Sequence, residues 1–141
     1  MARENVKRLL ALGWVGRLAY GTTALLAPRN TIRAFVGRDY PVEQDTGYFN
    51  RVFGVREIVL GGATMIAYQR KRGMGAAVAA NLASETGDLV ALLLEIRERG
   101  DVDPLMRVAI GMNLAGLGTY LTAAFLLKNG TGTSSSASSN A

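Results

Sequence analysis

Apolar residues along the chain gather into four blocks of about twenty residues, separated by polar and basic connectors. The first runs over 9–27 (LLALGWVGRLAYGTTALLA), follows the basic residues Arg3, Lys7 and Arg8, and stops at Pro28. The second covers 47–68, the third 73–96 and the fourth 105–127. A helix rises about 1.5 Å per residue, so about twenty residues match a hydrocarbon core of about 30 Å. The pattern predicts an all-α fold, a four-helix transmembrane bundle occupying one domain over 1–128. Short connectors after the second and third blocks make blocks two, three and four antiparallel neighbours.

The first connector is longer. Within it Thr31–Val36 is amphipathic and predicts a short helix lying in the membrane interface, and Gly37-Arg38-Asp39-Tyr40-Pro41 reads as a turn. Tyr40, Tyr48 and Phe49 fit an interfacial aromatic belt. Residues 129–141 (NGTGTSSSASSNA) offer nothing apolar to anchor them and are expected to be a disordered tail. Two other readings compete. A signal peptide would also begin with cations and an apolar run, but the first block is a full span long and carries Arg17 at its centre. A soluble bundle would show charged faces, whereas Ala109–Leu127 contains no charge at all.

Composition narrows the chemistry. The chain has no cysteine and no histidine, which removes disulfides, thiolate nucleophiles and the usual zinc and haem ligands. It also removes the commonest general base at neutral pH. No cofactor is implied. The net charge of +5 is built mostly from arginine, and nucleic-acid binding would need those cations on one face. Here they flank the apolar blocks, where anionic lipid headgroups account for them, so the bilayer is the expected partner. Positive charges divide evenly between the two sides of the bundle. The tight Arg70-Lys71-Arg72 turn points to both termini in the cytoplasm of a multi-pass protein of the cell membrane.

The ionisable and amide residues inside the blocks form the candidate site: Arg17, Arg51, Arg56, Glu57, Glu85, Asp88, Asn81 and Asn113. A lone charge at the centre of a membrane helix costs about 2.5–3.5 kcal/mol on insertion scales, so such residues turn inward and find partners. Arg17, Glu57, Glu85 and Asn113 each fall near the middle of their block. Because alternate helices run in opposite directions, Arg51, Arg56 and Asp88 fall in the same half of the membrane. Asn81, Glu85 and Asp88 share a stripe of one helix face at i, i+4, i+7. A polar layer at mid-depth follows.

The stretch Phe49-Asn50-Arg51-Val52-Phe53-Gly54-Val55-Arg56-Glu57-Ile58-Val59-Leu60-Gly61 resembles a motif of small four-span bacterial membrane proteins grouped as DoxX-like. The four-block layout over about 5–128 is similar too, and the Arg- and Ala-rich usage resembles actinobacterial proteins. The resemblance implies a four-span fold and marks Arg51, Gly54, Arg56, Glu57 and Gly61. It implies no activity.

Two functional expectations follow. The leading one is a structural or accessory membrane protein, in which the arginines neutralise the carboxylates and fix helix register, alone, as a homo-oligomer or within a larger membrane complex. The alternative is a small intramembrane enzyme or carrier, in which the same residues line a polar cavity for a lipophilic small molecule.

Overall fold

The computed structural model describes residues 2–131, and these form five helices. They are α1 (Ala2–Leu26), α2 (Pro28–Val36), α3 (Gln44–Arg70), α4 (Met74–Arg99) and α5 (Pro104–Thr131). Helix α5 runs three residues into the expected tail, and the rest of that tail, 132–141, lies outside the described residues.

Local chemistry sets the boundaries. Proline disfavours helical geometry in the residue before it, and Ala27 has left the helix with φ −135° and ψ 60°. The same Pro28 then serves α2 at its first position, where no N–H is needed. Gly37, at φ 125°, ends α2. The turn between α3 and α4 needs two left-handed residues, Lys71 at φ 52° and Gly73 at φ 75°. Gly100 caps α4 at φ 72°, returning its N–H to the Ile96 carbonyl at 2.9 Å. The Asp103 carboxylate accepts the Met106 N–H at 2.8 Å and so caps α5.

The four long helices pack side by side in the order α1, α3, α4, α5, with α5 closing back on α1. Neighbours run antiparallel. The α1–α3 seam is the tightest because it is built on glycine. A Cβ at Gly21 would stand 2.7 Å from the Gly54 carbonyl oxygen, and one at Gly54 would stand 2.7 Å from that of Gly21. The two backbones therefore cross in contact, as small residues permit between membrane helices. Helix α2 folds over one end of the bundle, burying Pro28, Thr31 and Ile32 and exposing Arg29, Asn30 and Arg33.

Apolar side chains lie mostly on the outside. Leu12, Val59, Leu114, Leu121 and Phe125 are all more than half exposed, while Arg17, Glu57, Glu85, Asn81 and Asn113 are buried. A small apolar cluster of Leu10, Val78, Tyr120 and Ala123 fills the end of the bundle near the α3–α4 turn. Such an inverted distribution is costly in water and natural in lipid. Helix α1 over Lys7–Leu26, α4 over Met74–Arg99 and α5 over Pro104–Asn129 are each long and apolar enough to cross a membrane. Helix α3 is long enough, but Arg51, Arg56 and Glu57 lower its apolar character.

Candidate functional site

Arg17 is the hub of the interior. It projects from the middle of α1 and is 7% exposed. Its Nη1 donates to Glu57 Oε2 of α3, its Nη2 donates to Glu85 Oε1 of α4, and its Nε donates to the Tyr120 hydroxyl of α5 at 3.1 Å. One guanidinium thus ties all four long helices together. Its Cζ also lies 5.4 Å from the centroid of the Tyr120 ring, within range of a cation–π contact.

A second guanidinium extends the network. Arg56 Nη2 donates to Glu57 Oε1 at 2.9 Å, and its two terminal nitrogens form a fork on the Asp88 carboxylate. The Phe53 ring, one helical turn earlier, lies 4.2 Å from Arg56 Cζ. Glu57 therefore bridges the two arginines, one oxygen to each. The connected network is Asp88–Arg56–Glu57–Arg17–Glu85, with Tyr120 attached.

Gly116 of α5 makes room for Glu85. A Cβ at that position would stand 2.6 Å from the Glu85 carboxyl carbon, so the carboxylate rests against bare α5 backbone. Its Oε1 is held by Arg17, and among the described residues no hydrogen bond reaches its Oε2.

Three of the residues expected in this layer are not bonded into the network. Arg51 is exposed and lines a separate hollow of about 450 Å³ with Arg29, Asn30 and Gln44. Asn81 is buried but donates to Thr64 Oγ1 at 2.9 Å and to the Ala77 carbonyl at 2.7 Å, forming a small polar contact of its own between α3 and α4. Asn113 donates its amide to the Ala109 carbonyl at 2.9 Å and leaves Oδ1 buried without a partner. Tyr120 and Thr64 were not expected among the candidates. Tyr120 shares a helix face with Asn113 and Gly116, which is the one signal the sequence offers for it.

The network is not sealed. A cleft of about 460 Å³ opens between α1 and α5, with Arg17, Glu57, Glu85, Asn113 and Tyr120 at its inner wall and Leu12 and Ala115 at its rim. A second hollow of about 270 Å³ continues beneath α2 and shares Tyr20, Phe35, Phe53, Met112 and Asn113 with the first. Tyr20 anchors this corner. Its hydroxyl donates to Asn50 Oδ1 at 3.1 Å, and its ring meets Phe35 and Phe53 edge-on at 5.8 and 5.9 Å. Outside the helices that could span the membrane, burial pushes the Tyr40 phenol up, and the neighbouring Asp103 carboxylate adds to it.

Compared with known families, the chain matches over residues 15–129 a model described as a domain of unknown function, DUF4267. No curated protein and no solved structure matches it.

Proposed function

The chain belongs to the DUF4267 family, whose function is unassigned, and from its own interior we propose a structural role. It is a four-span membrane bundle, fastened at mid-depth by its ion network and serving as a small scaffold or accessory subunit. The observation that carries this reading is Arg17, buried in the bundle and bonded to groups on three other helices. An arginine placed so satisfies carboxylates that could not remain charged alone in hydrocarbon. It also defines one register for α1, α3, α4 and α5, since sliding any helix by a turn of about 5.4 Å breaks the network.

In this reading α3 crosses the membrane as the fourth span. The charges that set it apart from α1, α4 and α5 are Arg51, Arg56 and Glu57. Glu57 is buried, Arg56 is half-buried, and both are paired within the bundle, leaving Arg51 as the outward charge. The N-terminus and the Arg70–Gly73 turn share one side, assigned to the cytoplasm, and α2 lies in the opposite interface. A four-span topology of this kind also supports the kinship with DoxX-like proteins.

Topology mapping tests the reading directly, because the chain has no native cysteine to interfere. Single-cysteine variants Asp39→Cys, Arg72→Cys and Asp101→Cys are labelled with an impermeant maleimide in intact cells and in inverted vesicles. Asp39→Cys and Asp101→Cys are expected to react from the same side and Arg72→Cys from the other. Labelling of Asp39→Cys and Arg72→Cys from one side would remove α3 as a span.

The alternative reading, a carrier or enzyme for a lipophilic molecule, draws on a different observation, the cleft that reaches the free oxygen of Glu85.

A further inference from the structure

The ion network does not balance. Arg17 and Arg56 supply two positive charges, while Glu57, Glu85 and Asp88 supply three negative ones, leaving one negative charge in excess. The bookkeeping of oxygens says where it resides. Both Glu57 oxygens and both Asp88 oxygens receive hydrogen bonds from arginine, whereas Glu85 has only Oε1 engaged. Its Oε2 belongs to the residue that forms the inner wall of the cleft. A second acceptor stands in the same wall, since Asn113, 6% exposed, has no partner for Oδ1. All three nitrogens of Arg17 already donate, to Tyr120, Glu57 and Glu85 Oε1, and the wall still offers unanswered acceptors and excess negative charge.

The remainder of the cleft fits the other end of an amphiphile. The hollow beneath α2 is lined mainly by apolar side chains, among them Ile32, Phe35, Leu92, Leu105, Val108 and Met112, together with Asp88, whose carboxylate is already held by Arg56, and the rings of Tyr20, Phe35 and Phe53 gather where the two hollows meet. At about 460 and 270 Å³, the joined spaces fall in the range of small-molecule sites. The rim residues Leu12 and Ala115 are exposed on the apolar exterior, so a ligand dissolved in lipid reaches the cleft sideways.

We propose that this cleft binds a lipophilic amine, its protonated nitrogen donating to the Glu85 carboxylate and its chain lying beneath α2 against Phe35. The amine supplies the missing positive charge and the missing donor in one group. A carboxylate head would add charge of the wrong sign. An alcohol head would donate a hydrogen bond but leave the charge uncompensated. The proposal uses the membrane reading only to say where the mouth of the cleft opens, and the cysteine labelling above decides that point separately.

The test uses the full chain purified in a mild non-ionic detergent and three probes of one chain length: dodecylamine, dodecanol and dodecanoate. Native mass spectrometry and thermal unfolding read binding. One dodecylamine is expected per chain, held at least about tenfold more tightly than dodecanol, which corresponds to about 1.4 kcal/mol, with no retention of dodecanoate. Glu85→Gln is expected to bring the amine down to the level of the alcohol. Phe35→Ala changes a half-exposed position on α2 and is expected to weaken amine binding several-fold with the helices intact, so the proposal stays testable even if the Glu85 variant does not fold. Dicyclohexylcarbodiimide, which attacks protonated carboxyls in apolar surroundings, gives a readout on the unaltered chain: dodecylamine is expected to protect Glu85 from it. Equal binding of all three probes would overturn the proposal. Strong carbodiimide labelling of Glu85 that dodecylamine leaves undiminished would overturn it too, by showing that a proton holds the place assigned to the amine.

Discussion

Replacing Arg17 by methionine keeps an unbranched apolar stem and removes the guanidinium that joins α1 to Glu57, Glu85 and Tyr120. Glu57 keeps Arg56, but Glu85 loses its only bonded partner, and the excess negative charge of the network doubles. Breaking a buried ion pair from one side costs about 3–5 kcal/mol, and a lone charge at mid-bilayer costs about 2.5–3.5 kcal/mol on insertion scales. The overlap puts Arg17→Met at about 3 kcal/mol. Glu85→Gln should cost far less, about 1 kcal/mol, because the glutamine carbonyl still accepts from Arg17.

The double variant decides whether these residues act as one unit. With Glu85 already neutral, losing Arg17 strands no carboxylate, since Glu57 and Asp88 retain Arg56. The pair together should cost about 2 kcal/mol against a sum of about 4, a coupling of about 2 kcal/mol toward rescue, within the range found for residues in direct contact. Unfolding in mixed micelles of rising dodecyl sulfate content, followed by far-ultraviolet circular dichroism, measures all three variants. The fluorescence of Trp14, the single tryptophan, gives a second probe on α1. Additivity within about 0.5 kcal/mol would refute the fastened-register argument and leave Arg17 as an independent side chain.

Gly54→Ala should destabilise by about 1–3 kcal/mol, the usual cost of overpacking, because its Cβ would meet the Gly21 carbonyl oxygen at 2.7 Å and force α1 from α3. Gly62→Ala, with nothing within 4 Å of the added carbon, is the matched control and should be neutral or stabilising in the same micelle titration. Tyr120→Phe keeps the packing against Val78 and Ala123 but removes the hydroxyl that accepts from Arg17. It should cost about 0.6 kcal/mol, the average for side-chain hydrogen bonds within membrane helices, and a loss above about 2 kcal/mol would mean that the hydroxyl does more than answer Arg17.

The helices were legible because each apolar block is as long as a bilayer is thick and the first three give way at Pro28, Arg70–Gly73 and Gly100, where backbone chemistry leaves few choices. The interior partners were legible in part, for the same reason of depth. Arg17, Glu57 and Glu85 sit near the centres of their blocks, and antiparallel packing brings Arg56 beside Asp88. Arg51 fails on angle. It lies five residues before Arg56, and five steps of about 100° leave the two about 140° apart around the helix, so both could not face inward. Asn81 fails on depth. It shares a face with Glu85, but four residues are about 6 Å of rise, and at that level the neighbouring helix presents Thr64 and not Arg17.

What spacing could not yield was the assignment of each carboxylate oxygen to a donor. Two arginines and three acids on facing helices are compatible with many pairings, among them one in which a shared arginine holds every acid equally. The observed pairing places the shortfall on Glu85 because that side chain alone rests against the bare backbone of Gly116, beyond the fork of Arg56. An enlarged residue at 116 would press the Glu85 carboxylate away from α5 and from the cleft wall. Gly116→Ala therefore joins the fold and the cleft in one substitution. If Glu85 serves only as a fastener, the variant loses stability and nothing else. If the free oxygen receives a ligand, dodecylamine retention falls further than the shift in unfolding alone accounts for.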